Sequence, residues 1–164
     1  MTMIPGLPYP LPPIVAVPDV VDSVRIFLSS VPEVAALVSS SSGWAKGSGP
    51  RISGSINRGW KVPSLAIVLR RAGGAGIDET ARHVTRLDVR CLAGSTRDAA
   101  MLWRTVHAAL APRPPGITGW AAASCRVTDV EQDADPIPDD DTDVGWYVLV
   151  APYLFSWYEM AVTP

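Results

Sequence analysis

Residues 82–110, RHVTRLDVRCLAGSTRDAAMLWRTVHAAL, constrain the fold most, because they specify a strand, a capped turn and a helix in unbroken succession. His83, Thr85, Leu87, Val89 and Cys91 fall on one side of an extended chain, and Arg82, Val84, Arg86, Asp88 and Arg90 on the other, since side chains alternate with period two. One side is core and the other is polar. Gly94 ends the strand, and Ser95 with Asp98 three residues on resembles a capping box. The hydroxyl meets free helix N–H groups, and the carboxylate sits near the positive end of the helix dipole. A helix therefore starts near Thr96. Ala99, Leu102, Trp103, Val106 and Leu110 recur every three or four residues, which lays them along one stripe. Pro112, Pro114 and Pro115 forbid continuation. The helix lies on the sheet, and the stretch holds no catalytic constellation, which points toward an assembly surface.

The remaining chain continues this pattern. Residues 1–18 carry six prolines and no charge, with apolar residues between. This composition favours an extended or polyproline arm without hydrogen bonds of its own. Such an arm is either disordered or laid on another surface, for instance a neighbouring subunit. Asp19 caps a helix carrying Val20, Val21, Val24, Phe27 and Leu28, and Ser30 with Glu33 suggests a second start leading through Val34, Leu37 and Val38, with Pro32 bending or dividing the two. A Ser/Gly loop spans 39–50, and a short strand is expected from Arg51 to Asn57. LAIVLRR after Pro63 reads as a central strand covered on both faces, followed by a glycine-rich hairpin turn at 73–76. Trp120 to Val130 reads as one further strand, and an acidic loop leads to a closing aromatic strand from about Val144 to Tyr158. Pro152 would break its ladder unless it sits at an edge or a bulge. The order helix, strands, helix, strands predicts an α+β fold: a mixed, mostly antiparallel β-sheet with two main helices packed on one face. Residues 19–164 form a single domain behind the Pro-rich arm.

Charge and chemistry narrow the function. The net charge is −2, which argues against a nucleic-acid-binding body, because neutralising phosphates needs an excess of Lys and Arg. All cations but Lys46 and Lys61 are arginine. Several gather in 70–97 (Arg70, Arg71, Arg82, Arg86, Arg90 and Arg97), whereas acids gather in 129–143. That separation suits either two solvated faces or pairing between neighbouring copies. Cys91 and Cys125 form neither a disulfide framework nor a zinc site, and they read as buried thiols in strands. No stretch approaches the roughly eighteen apolar residues of a membrane helix, and Met1 to Val17 lacks a basic leader region, so the chain is expected to be made in a cytoplasm. His83 and His107 read as packed or surface histidines rather than general bases. RAGGAGIDET lacks the GK[ST] of a phosphate loop. Asp139, Asp141 and Asp143 alternate like early calcium-loop ligands, but Gly145 comes one position late and Val150 stands where a bidentate Glu belongs. No catalytic residue, metal site or cofactor is expected.

With this arrangement laid out, the chain resembles the tail terminator, or tail completion, proteins of long non-contractile-tailed bacteriophages. The likeness spans roughly residues 19–160. It rests on a helix ending in Val34 to Val38, the strand VPSLAIVL and the run VTRLDVRCLAGSTRDAAMLWRTVHAAL, then GWAAASCRVTDV, an acidic loop and GWYVLVAPYLFSWY. The long Pro-rich arm lies outside it. The resemblance implies helices packed on a sheet, assembled as a homohexameric ring that caps the tail tube, stops its polymerisation and docks the tail to the head's neck. Partners would be other copies of the chain, the tail tube protein and head–neck connector proteins, with no membrane and with DNA only passing through the lumen. Because a ring joins one patch to a different patch, the candidate contacts with a neighbouring subunit or the tube are Arg82, Arg86, Arg90, Asp139, Asp140, Asp141, Asp143, Trp157 and Tyr158. The alternatives are another neck component (head closure or adaptor), a tail tube subunit or, more remotely, an acidic-loop metal-binding protein or small hydrolase.

Overall fold

The computed structural model describes residues 19–39, 50–56, 60, 64–74, 82–111, 120–122, 125–139 and 145–160; the Pro-rich arm and the Ser/Gly loop at 40–49 lie outside these. Two short helices open the fold, α1 (Val20–Ser30) and α2 (Pro32–Ser39). Asp19 caps α1 by accepting the Val21 N–H at 2.9 Å. Pro32 divides the two, standing in the first turn of α2, where its missing N–H costs nothing. Ser30 does not cap α2 as its spacing from Glu33 suggested. Its hydroxyl donates back to the Phe27 carbonyl at 2.6 Å, and the first bond of α2 runs instead from the Ala35 N–H to the Val31 carbonyl.

The strands are β1 (Ile52–Ser53), β2 (Ala66–Gly73), β3 (His83–Ala93), β4 (Trp120–Ala122), β5 (Cys125–Gln132), β6 (Ile137–Asp139) and β7 (Tyr147–Glu159), with α3 (Thr96–Leu110) between β3 and β4. They form one sheet in the order β1-β2-β3-β7-β5-β4, with β6 also on β7. Among the described residues only β1–β2 is parallel, so the α+β class and mostly antiparallel sheet expected from the sequence are present. Four expectations about strands change. β1 has two residues, not the seven of 51–57. The 120–130 segment is two strands, because Ala122 pairs with Cys125 and the chain doubles back with no Gly or Pro to announce it. LAIVLRR is second from the edge, and β3 and β7 hold the centre. Pro152 is interior, opposite Asp88.

The geometry around Pro152 explains why it is tolerated. A residue's N–H and C=O leave an extended strand on the same side, and the Pro152 carbonyl accepts the Asp133 N–H at 2.9 Å. Its nitrogen therefore points to that side too. There β5 ends opposite Tyr153 and β6 begins opposite Val150, so the absent donor falls in the gap between two partner strands.

Helices α1, α2 and α3 share the main core with one face of the sheet. Val24, Leu28, Val34, Val38, Leu102 and Val106 are fully buried against Ile67, Leu87, Val89, Cys91, Tyr153 and Phe155. The alternation in β3 places these residues as its sequence requires. The α3 cap also forms: the Asp98 N–H donates to Ser95 Oγ at 3.1 Å. The reciprocal contact goes from the Ser95 hydroxyl to Asp98 Oδ2 at 2.7 Å. Phe27 of α1 stacks on Trp120 of β4, centroids 4.2 Å apart, which ties the helical layer to the far edge strand and adds about 0.5–1.5 kcal/mol beyond area burial. The opposite face is not wholly polar. Ala66, Val68, Leu92, Trp146 and Val148 form a second buried cluster at one end, flanked by Trp60 and Val150.

Candidate functional site

The helix-free face of the sheet carries Arg86, Arg90 and Asp139 among the charged residues singled out in the sequence. In β3, Arg86, Asp88 and Arg90 stand in register with Leu154, Pro152 and Val150 of β7. Each arginine reaches across β7 to the strand beyond it. Arg90 forms a charge-assisted hydrogen bond from Nη2 to Asp139 Oδ2 of β6, and Arg86 Nη1 lies 3.1 Å from Asp133 Oδ2, just past β5. Arg86 Nε is also 3.8 Å from Asp88. Arg90 is only 14% exposed in its side chain and Asp139 34%, so that pair is screened less than an open surface pair, which is worth roughly 0–1 kcal/mol. These straps hold β5 and β6 onto the central strands where β7 offers Pro152 and no donor.

The sequence-predicted contact residues therefore separate into groups. Arg90 and Asp139 meet within one chain. Arg86 is engaged by Asp133, which in the sequence is one acid among the many of 129–143. Arg82 is exposed immediately before β3, and Tyr158 is half-buried in register with Arg126 of β5 on the helix-free face. Asp140, Asp141 and Asp143 lie outside the described residues. Trp157 differs from its expected place. It is 4% exposed, stacks on His83 at 4.2 Å and donates its indole N–H to Thr85 Oγ1 at 3.1 Å, so within a single chain it is core. The period-two register with Phe155 and Tyr153, both on the helix-covered face, was the signal that places it there.

The buried polar groups do structural work. His107 of α3 lies 3.0 Å, Nδ1 to hydroxyl, from Tyr153 of β7. Burial pushes the Tyr153 hydroxyl up to about 12; the Trp103 indole opposes this and Cys91 adds to it. Burial likewise pushes the Cys91 thiol up to about 12, and such a thiol is a poor nucleophile. Cys125 is a buried free thiol as well. His83 Nε2 stands 3.3 Å from Glu159. Among the described residues no group of three His, Cys, Asp or Glu is placed to hold a metal ion, and no helix is long and apolar enough to cross a membrane. The geometry offers ring stacking, buried hydrogen bonds and a charged sheet face.

No protein-family model matches the chain, and no curated protein sequence does so. Among solved structures, a chain in the virion of a native gene transfer agent (GTA) particle is similar, with a TM-score of 0.57 at 12% identity over 85% of this chain and 93% of that one. What the two chains share is the fold: the same helices-on-sheet architecture carried by almost entirely different side chains.

Proposed function

We propose that this protein is a virion structural component of a tailed-phage-like particle and, within it, the tail terminator: a ring of about six copies that caps the tail tube, stops its polymerisation and joins the tail to the head–neck connector. The observation that carries the reading is the fold shared with a chain of a gene transfer agent virion over 85% of this chain and 93% of that one. The finer assignment is supported by the sequence resemblance across residues 19–160. Arg82 and Tyr158, with Asp140, Asp141 and Asp143 beyond the described residues, are candidate contacts to a neighbouring copy or to the tube. Arg86 and Arg90 would present their pairs with Asp133 and Asp139 as a charge-balanced surface. The chain would be made in the host cytoplasm and reside in the tail and neck.

Deleting the gene from a particle-producing host and imaging the products by electron microscopy tests this. The reading expects tubes of uncontrolled length and heads without tails. Tubes of normal length lying free of heads would instead indicate a head-closure or adaptor role. Loss of all tubes would indicate a tube subunit. Unaltered, infectious or transducing particles would refute a structural role.

A further inference from the structure

Two stretches of backbone at opposite margins of the sheet have no strand beside them among the described residues. β1 covers only Ile67 and Val68 of β2, leaving Leu69 to Gly73, and β4 covers only Cys125 to Val127 of β5, leaving residues 128 to Gln132. An uncovered edge presents N–H and C=O groups that can template another strand. The two edges differ in charge. Arg70 and Arg71 are exposed on the first, Asp129 and Glu131 on the second, and none of the four forms an ion pair among the described residues.

We propose that neighbouring copies join edge to edge, β2 of one running antiparallel beside β5 of the next, so that the sheets continue around the assembly. This deepens the ring reading and rests on it. Charge selects the pairing: β2 against β2 would oppose arginines and β5 against β5 would oppose carboxylates, so the two-fold joint is disfavoured and the joint between unlike edges favoured, as a ring requires. Strand direction agrees. β2, β3, β7 and β5 alternate in direction, so a copy rotated about an axis along the strands brings β5 antiparallel to β2 with the same face outward. With Leu69 placed opposite Gln132, Arg70 falls opposite Glu131 and one diagonal from Asp129. All three belong to the helix-free face, where Arg70 is in register with Asp88, Glu131 with Leu154 and Asp129 with Ser156. The short strands β1 and β4 then fall at opposite ends of the joint and need not be displaced.

The test uses the full chain assembled with its tail tube protein. A chain carrying both Arg70→Cys and Glu131→Cys, mildly oxidised, should give a ladder of linked copies on a non-reducing gel, because directly opposed residues in an antiparallel pair lie within disulfide reach. Arg70→Glu should weaken self-association by at least about tenfold, since attraction becomes repulsion at every joint. Combining Arg70→Glu with Glu131→Arg should restore it, which a folding defect would not allow. Rings that form, do not cross-link and keep their mass with Arg70→Glu would overturn the edge joint and leave the ring reading standing. A chain that stays monomeric even with tube protein would remove the ring reading and the joint with it.

Discussion

Raising the pH from 8 to 11 should remove much of the protein's stability through two buried groups. Burial raises Cys91 from 9.0 to about 12 and Tyr153 from 10.0 to about 12. Both are uncharged below the unfolded-state value, so their contribution is fully present there. Above it the unfolded chain releases protons that the folded chain retains, and stability falls by about 1.4 kcal/mol per pH unit for each group until the folded value is reached. At pH 11 Cys91 has cost about two such units and Tyr153 about one, or roughly 4 kcal/mol together, against a typical total of about 5–15 kcal/mol. Because an ionised Cys91 itself raises Tyr153, the two losses are coupled and their separate removal should not add. Urea midpoints measured every half unit from pH 8 to 11 give the slope directly. Cys91→Ala and Tyr153→Phe should each flatten it while lowering stability at pH 8, the second by leaving His107 without its hydroxyl partner. If the wild type and both variants decline in parallel above pH 9, burial of these groups is not what governs alkaline unfolding.

Other perturbations address separate parts of the fold. A double-mutant cycle of Arg90→Met and Asp139→Asn, read by chemical denaturation, should give a coupling energy of about 1 kcal/mol that shrinks only modestly in high salt, given the pair's partial burial; zero coupling would mean the strap across β7 is not made in solution. Ser95→Ala should cost about 1 kcal/mol and fray the first turn of α3, detectable as faster amide exchange at Asp98. Gly74 has φ +151°, and a Cβ there would run into the Val84 carbonyl and sit 2.9 Å from Thr85 Cα. Gly74→Ala should therefore lower Tm by several degrees for a cost of about 1–3 kcal/mol, whereas a neutral result would show that the β2–β3 hairpin relaxes freely.

What was legible in the chain was local. The alternation from His83 to Cys91 named the buried side of β3 correctly because period two is a property of the extended backbone. Asp19 and Ser95 announced their helices because a cap acts within three residues. Ser30 misled because a hydroxyl can turn back to its own helix as readily as forward to the next. The doubling back between β4 and β5 left no Gly or Pro signature. The contact surface was legible only in part: the arginines and acids were visible as two populations, but not which of them pair within one chain.

The sequence by itself determined α1, α3, β3 and β7, the Asp19 and Ser95 caps and the buried side of β3, since these follow from backbone periodicity and contacts a few residues long. Tertiary structure decided the rest. Only the strand order puts β6 beside β7 and lets Arg90 reach Asp139, only the gap between β5 and β6 makes Pro152 acceptable in an interior strand, and only the layer packed on that face turns the Trp157 side of β7 into core. The same order leaves an arginine-bearing margin at β2 and a carboxylate-bearing margin at β5. Partners far apart in sequence are chosen by how whole layers pack, and local propensity carries no information about that choice.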